Sequence, residues 1–126
     1  MSKPVLYSIV ESPAHPDFSA LYAELGYEAL RFTSMRQAMA KLKRTPPAVV
    51  VAEFFYGWGN NYAGVNISNL DVLLYSLQKY APQAKVIAMV EKAERQYVDK
   101  LNDILPLYGV LTQPVAAAEM AALLRG

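Results

Sequence analysis

Pro47-Ala48-Val49-Val50-Val51-Ala52-Glu53 is the stretch on which the fold turns. Three consecutive β-branched residues without polar alternation read as a strand covered on both faces, the kind found inside parallel sheets. Pro46-Pro47 stops whatever precedes it, so the strand starts cleanly. Working outward, apolar runs of strand length recur at 5–10, 28–32, 85–90 and 109–112. The intervals between them carry a helical period. Phe18, Leu21, Tyr22 and Leu25 fall at i, i+3, i+4 and i+7, as do Met35, Ala38, Met39 and Leu42, and again Leu70, Leu73, Leu74 and Leu77. Each set makes one apolar stripe that must face a core. Ser34 is placed to cap the second helix, and Ser68 with Asp71 three residues on resembles a capping box for the third. A fourth helix is expected over 94–105, ended by Pro106, and a fifth over 115–124 after Pro114. Strand and helix alternate five times, which requires parallel strands joined by right-handed crossovers. The expectation is an α/β protein, a three-layer doubly wound five-stranded parallel sheet, in a single domain spanning 1–126.

Composition narrows what such a domain can do. The chain has 126 residues, 54% of them hydrophobic, enough for one packed core. Twelve basic residues against eleven acidic leave a net charge of +1, which gives no large field for nucleic acid or an anionic membrane. The absence of cysteine excludes disulfides, a thiolate nucleophile and thiolate metal sites, and His15 is the only histidine. The apolar run at the N-terminus is interrupted by Glu11 and is too short for a signal peptide. No window approaches the roughly 18 apolar residues of a membrane span. A cytoplasmic location is expected, so the Asn66-Ile67-Ser68 sequon is read as chance.

In sheets of this class function gathers at the carboxyl ends of the strands. Here those ends are Glu11 and Ser12, Glu53, Val90 and Glu91, and Gln113. Three local phrases add to the architecture. They are Glu24-Leu25-Gly26-Tyr27-Glu28 at the end of the first helix, residues 47–53, and Gly109-Val110-Leu111-Thr112-Gln113-Pro114 at the last strand. With these phrases in this order and spacing, the chain resembles, over essentially its whole length, the receiver domain of bacterial two-component response regulators. The resemblance implies a flavodoxin-like sheet of strand order 2-1-3-4-5. It also implies a site made of an acidic pair after the first strand, an aspartate after the third, a hydroxyl after the fourth and a lysine after the fifth.

Every one of those positions departs from the family. The acidic pair is reduced to Glu11, with Val10 or Ser12 beside it. The acceptor is Glu53, the hydroxyl position is Val90, the lysine position is Gln113, and the switch aromatic of the fifth strand is Val110. Phosphoryl transfer rests on positioning and on neutralising charge at the transferring oxygens. Valine donates no hydrogen bond and glutamine offers a neutral amide where an ammonium is needed. Glu53 carries its carboxylate one methylene too far for in-line attack. The expectation is a degenerate site and a non-enzymatic pseudo-receiver, with no cofactor, that signals or scaffolds through protein contact. Its degenerate site residues are Glu11, Ser12, Glu53, Val90 and Gln113.

Residues 54–62 hold five aromatics, Trp58 among them, and are expected to present Tyr56, Trp58 and Tyr62 to a partner or to fold over the site as a lid, with Phe54 or Phe55 continuing the strand inward. Tyr97 and Tyr108 are further expected anchors, beside a fifth helix kept small by Ala116, Ala117, Ala121 and Ala122. That surface suggests a homodimer through helix 4, strand 5 and helix 5. Arg36, Lys41, Lys43 and Arg44 form a basic cluster on the second helix, read as a solvated face. His15 is read as a loop residue. The alternative from another class is a divalent-metal- or small-molecule-binding domain using Glu11, Glu53 and Glu91 with the aromatic loop. Glu53 and Glu91 otherwise point to solvent or pair with Lys85, Lys92 or Arg95. A flavin phosphate loop is not expected, because Ser12-Pro13-Ala14-His15-Pro16 has no glycine.

Overall fold

The computed structural model describes residues 3–11, 17–56 and 68–126. The valine run forms strand β3 (Val49–Glu53), buried at every residue. Alternation splits its side chains between two cores. Val50 and Ala52 join one, while Val49 and Val51 join the other. On one side of β3 lies β1 (Val5–Ile9), and beyond it the terminal strand β2 (Glu28–Phe32). On the other side lie β4 (Lys85–Val90) and β5 (Gly109–Thr112). The order is β2-β1-β3-β4-β5, and all four pairings are parallel. The strand order reverses between β1 and β3, the place where sheets of this kind open a crevice.

Helices cover both faces. α1 (Ser19–Glu24) and α5 (Ala117–Arg125) supply Tyr22 and Met120 to the core around Leu6, Val51 and Met89. The opposite core gathers Ala38 of α2 (Met35–Lys41) and four leucines, Leu70 at the start of α3 (Asp71–Tyr80) and Leu73, Leu74 and Leu77 within it. All four are fully buried, as their spacing predicts. At roughly 1.5–3 kcal/mol for each side chain taken from water, this stripe alone fixes how α3 sits on the sheet. Ser34 accepts a hydrogen bond from the Gln37 N–H at 3.2 Å, so the expected cap is present. Tyr7 lies wholly within the core and its hydroxyl donates to the Thr45 carbonyl at 2.5 Å. Burial pushes that phenol up to about 12.

The fourth helix differs from expectation. Instead of one helix over 94–105, a single α-turn, α4 (Arg95–Val98), stands between 3-10 turns at Lys92–Glu94 and Asp99–Asp103. The apolar spacing explains it. Val98, Leu101 and Ile104 are buried at intervals of three, the period of a 3-10 turn. Asn102 adds side-chain bonds that compete with the helical ladder, donating to the Asp99 carbonyl at 3.0 Å and accepting from the Leu107 N–H at 2.7 Å. The Gln113–Pro114 peptide bond that follows β5 is cis.

Candidate functional site

The strand ends line up along one edge of the sheet. Ile9 pairs with Ala52, Glu53 with Met89, and Val90 with Thr112, so Glu11, Glu53, Val90 and Gln113 follow one another across the carboxyl edge. Ser12 and His15 lie outside the described residues.

Glu53 is not an open strand-end carboxylate, which corrects the expectation that it faces solvent or pairs with a surface cation. It is 2% exposed. Its Oε1 accepts the backbone N–H of Glu11 at 2.7 Å, a charge-assisted bond across the gap between β1 and β3. The physical reason is parity. Glu53 continues the alternation of Val49 and Val51, and the ladder carries past it, with the Phe54 N–H donating to the Met89 carbonyl at 2.9 Å.

The residue that closes this corner is Asn69, immediately ahead of α3. Its Nδ2 donates to the Glu53 carbonyl at 2.9 Å, its Oδ1 accepts from the Phe55 N–H at 2.7 Å, and its own N–H donates to the Phe55 carbonyl at 3.2 Å. Asn69 thus acts as an extra rung that pins the chain leaving β3 to the start of α3. Ser68 and Asp71 hold it in place. The Ser68 N–H and hydroxyl both donate to Asp71 Oδ1, at 2.7 and 2.9 Å, and Ser68 Oγ accepts the Leu70 N–H at 3.0 Å. Asp71 and Ser68 are both buried, so the pair expected from their spacing forms inside the fold, but one step ahead of the helix: the N-cap of α3 is Leu70, which has no side-chain cap bond.

Glu11 completes the group. Burial raises its carboxyl above the ordinary 4.5, the neighbouring charge of Glu53 raises it further, and a hydrogen bond with the Asn69 side chain offsets part of both. Glu91 does not join them. It is exposed, and the only ion pairs among the described residues are Arg31 with Asp17 and Arg95 with Asp99. Among those residues no three carboxylates or imidazoles gather as metal ligands, so the alternative that groups Glu11, Glu53 and Glu91 finds no such cluster there.

The relay positions are apolar or neutral. Val90 is fully buried and its carbonyl accepts the Gln113 N–H at 2.8 Å. Val110 is half-buried and packs against the core beneath α2, α3 and α4. A site of this composition has its acceptor carboxylate already engaged by the backbone. It has no hydrogen-bonding side chain at the end of β4 and no ammonium after β5.

Of the expected aromatic surface, Phe54, Tyr56, Tyr97 and Tyr108 fall among the described residues. Phe54 is 1% exposed and does continue β3 into the core. Tyr56 stacks on Tyr97 with ring centroids 3.8 Å apart and planes 15° from parallel, and its N–H donates to Glu94 Oε1 at 3.1 Å. Tyr108 packs with the core around Leu6, Val51 and Met89, alongside Leu123 and Leu124 of α5. It precedes β5 at the amino edge of the sheet, donates its N–H to the Val86 carbonyl at 2.8 Å, and has Lys85 Nζ 4.8 Å above its ring. Trp58 and Tyr62 lie outside the described residues.

Sequence reasoning missed Asn69 and Glu94. Asn69 had one local signal, a polar residue wedged between a capping serine and an apolar stripe. Its partners at positions 53 and 55 are distant in sequence and show only in three dimensions.

No protein-family model and no curated protein matches this chain. Solved structures do. The signal receiver domain of an HD domain-containing protein from Pseudomonas fluorescens superposes with a TM-score of 0.72 at 15% identity, covering 98% of this chain and 92% of that one. A CheY-like response regulator receiver domain from Methanospirillum hungatei gives 0.65 at 13% identity, over 99% and 92%. NtrX from Brucella abortus gives 0.73 at 15% identity, with 99% of this chain matching 26% of that longer one. The likeness is one of fold. The chain has the flavodoxin-like architecture of response regulator receiver domains, with the strand order that the sequence resemblance implied.

Proposed function

We propose that this domain is a pseudo-receiver, a non-enzymatic module of bacterial cytoplasmic signalling or scaffolding that works by protein contact and does not accept a phosphoryl group. The observation that carries the reading is the engagement of Glu53. Its carboxylate is buried and bonded to the Glu11 N–H, so it is unavailable as a nucleophile in the position where receivers present an aspartate. Around it, Val90 and Gln113 supply neither the hydroxyl nor the cation that a transferring phosphoryl group requires. Val110 removes the aromatic through which a receiver passes charge change to its surface, so no differential contact remains to shift a population. The Tyr56–Tyr97 stack, with Tyr56 about half exposed, offers a rigid contact surface beside the site.

Incubation with acetyl phosphate and magnesium, read by intact mass, tests this. The expected result is no phosphoryl adduct on the wild type or on Glu53→Asp alone, because the donor and the ammonium stay absent. The triple change Glu53→Asp, Val90→Thr and Gln113→Lys is the informative control. An adduct on the wild-type chain contradicts the reading.

A further inference from the structure

The net charge of +1 conceals a segregation. No acidic residue stands between Glu28 and Glu53, an interval that carries Arg31, Arg36, Lys41, Lys43 and Arg44. Gln37, Ala40, Lys41 and Arg44 follow at i, i+3, i+4 and i+7 along α2 and the turn that prolongs it, so they share one stripe. That stripe lines a groove of about 490 Å³ whose other wall is Arg31 and Phe32 of β2.

β2 is a terminal strand of the sheet, so one side of its backbone has no strand beside it. Its hydrogen-bonding phase can be read directly. The Glu28 N–H donates to the Pro4 carbonyl at 2.9 Å, and the Phe32 carbonyl accepts the Val10 N–H at 3.0 Å. In a parallel pairing successive residues turn their backbone groups to opposite sides. Glu28, Leu30 and Phe32 therefore face β1, while Ala29 and Arg31 present N–H and C=O to the open side. Among the described residues no backbone hydrogen bond from Ala29 or Arg31 reaches another element on that side. The Arg31 guanidinium is held at 3.1 Å by Asp17, whereas Lys41 and Arg44 are exposed and have no ion pair among the described residues.

We propose that this edge docks an acidic, extended segment of a partner protein, which adds to β2 as a sixth strand while its carboxylates meet Lys41 and Arg44. Main-chain bonds to Ala29 and Arg31 supply affinity, and the cations above the edge select the charge of the strand. A second copy of this chain is a poor occupant, because it would bring the same cations against their own kind. The inference rests on the protein-contact part of the proposed function and not on the silence of Glu53 toward phosphoryl groups.

Fluorescence anisotropy with the full chain tests it, using a fluorescein-labelled Glu-Val repeat peptide and the same repeat N-methylated at every residue, which keeps the charge and cannot donate from either side of a strand. The unmethylated peptide is expected to bind about tenfold or more tightly than the methylated one. Lys41→Glu with Arg44→Glu is expected to weaken it by about tenfold or more. Both side chains are exposed, so the fold is unaffected. Ala29→Pro removes an outward N–H without touching the ladder to β1 and weakens the same peptide, while amide exchange at Ala29 and Arg31 slows on binding in the wild type. Lys79→Glu on α3 changes net charge equally per site and leaves binding unchanged. Equal affinity for the two peptides, or full binding after the double reversal, overturns the proposal. So does displacement of the Glu-Val peptide by single-stranded DNA at lower concentration. A phosphorylatable Glu53 would appear only in the acetyl phosphate experiment, so the two readings fail separately.

Discussion

Glu53 shows how one methylene and one hydrogen bond change what a strand-end carboxylate is for. In Glu53→Gln the oxygen that accepts the Glu11 N–H survives and the repulsion between two carboxylates is removed. Stability from denaturant unfolding is then expected to stay within about 1 kcal/mol of wild type. Glu53→Ala leaves the Glu11 N–H without that acceptor and is expected to cost about 1–3 kcal/mol. Equal loss in the two variants would show that the charge, not the acceptor, matters. Glu11 carries the pH dependence of this corner. Its carboxyl is raised above 4.5 in the folded state by burial and by Glu53, so between 4.5 and the folded value the native chain holds more protons than the unfolded one. Stability is therefore expected to fall as pH rises through that window, and Glu11→Gln is expected to flatten the fall. Chemical denaturation at a series of pH values from 4 upward checks both, and a rise in stability across the window would reverse the assignment.

At the scale of the element, α3 and its entry organise the site. Asn69→Ala removes the bonds to the Glu53 carbonyl and the Phe55 N–H, and is expected to cost about 1–3 kcal/mol, with faster amide exchange at Phe55. If exchange at Phe55 is unchanged, Asn69 does not pin the chain after β3. The four-leucine stripe, the Ser34 cap and the Ser68–Asp71 pair were all legible in sequence, because helical period and capping are local properties. The fourth helix was less so. Apolar residues at 98, 101 and 104 suit a 3-10 turn as well as an α-helix, and the Asn102 side chain decides between them only once its partners at Asp99 and Leu107 are in place. The burial of Glu53 escaped for a related reason. Strand parity could be counted from the valines, but the acceptor role depends on Glu11 just after β1 and on Asn69 just ahead of α3.

For the whole molecule, the order of strands and helices was written in the alternation of period, and the edge along which Glu11, Glu53, Val90 and Gln113 follow one another came with it. What lies beyond the edge was not. Self-association through α4, β5 and α5 remains the expectation from the small outer face of α5, where Ala116, Ala117 and Ala122 are exposed while Ala121 is buried. Light scattering at micromolar concentration is expected to show a dimer, and a monomer at every accessible concentration would shift the contact surface to the Tyr56–Tyr97 stack and the β2 edge. The proposed pseudo-receiver keeps the receiver fold and does not answer to phosphoryl chemistry. The most direct test is a titration of the isotope-labelled chain with beryllofluoride and magnesium, followed through the amide resonances of Glu11, Glu53, Val90 and Gln113. No shift at any of the four is predicted, because the carboxylate is bonded to the backbone and the hydroxyl and ammonium positions hold Val90 and Gln113. Saturable shifts at Glu53 and Val90 would contradict the account and make the chain a receiver with an unusual acceptor.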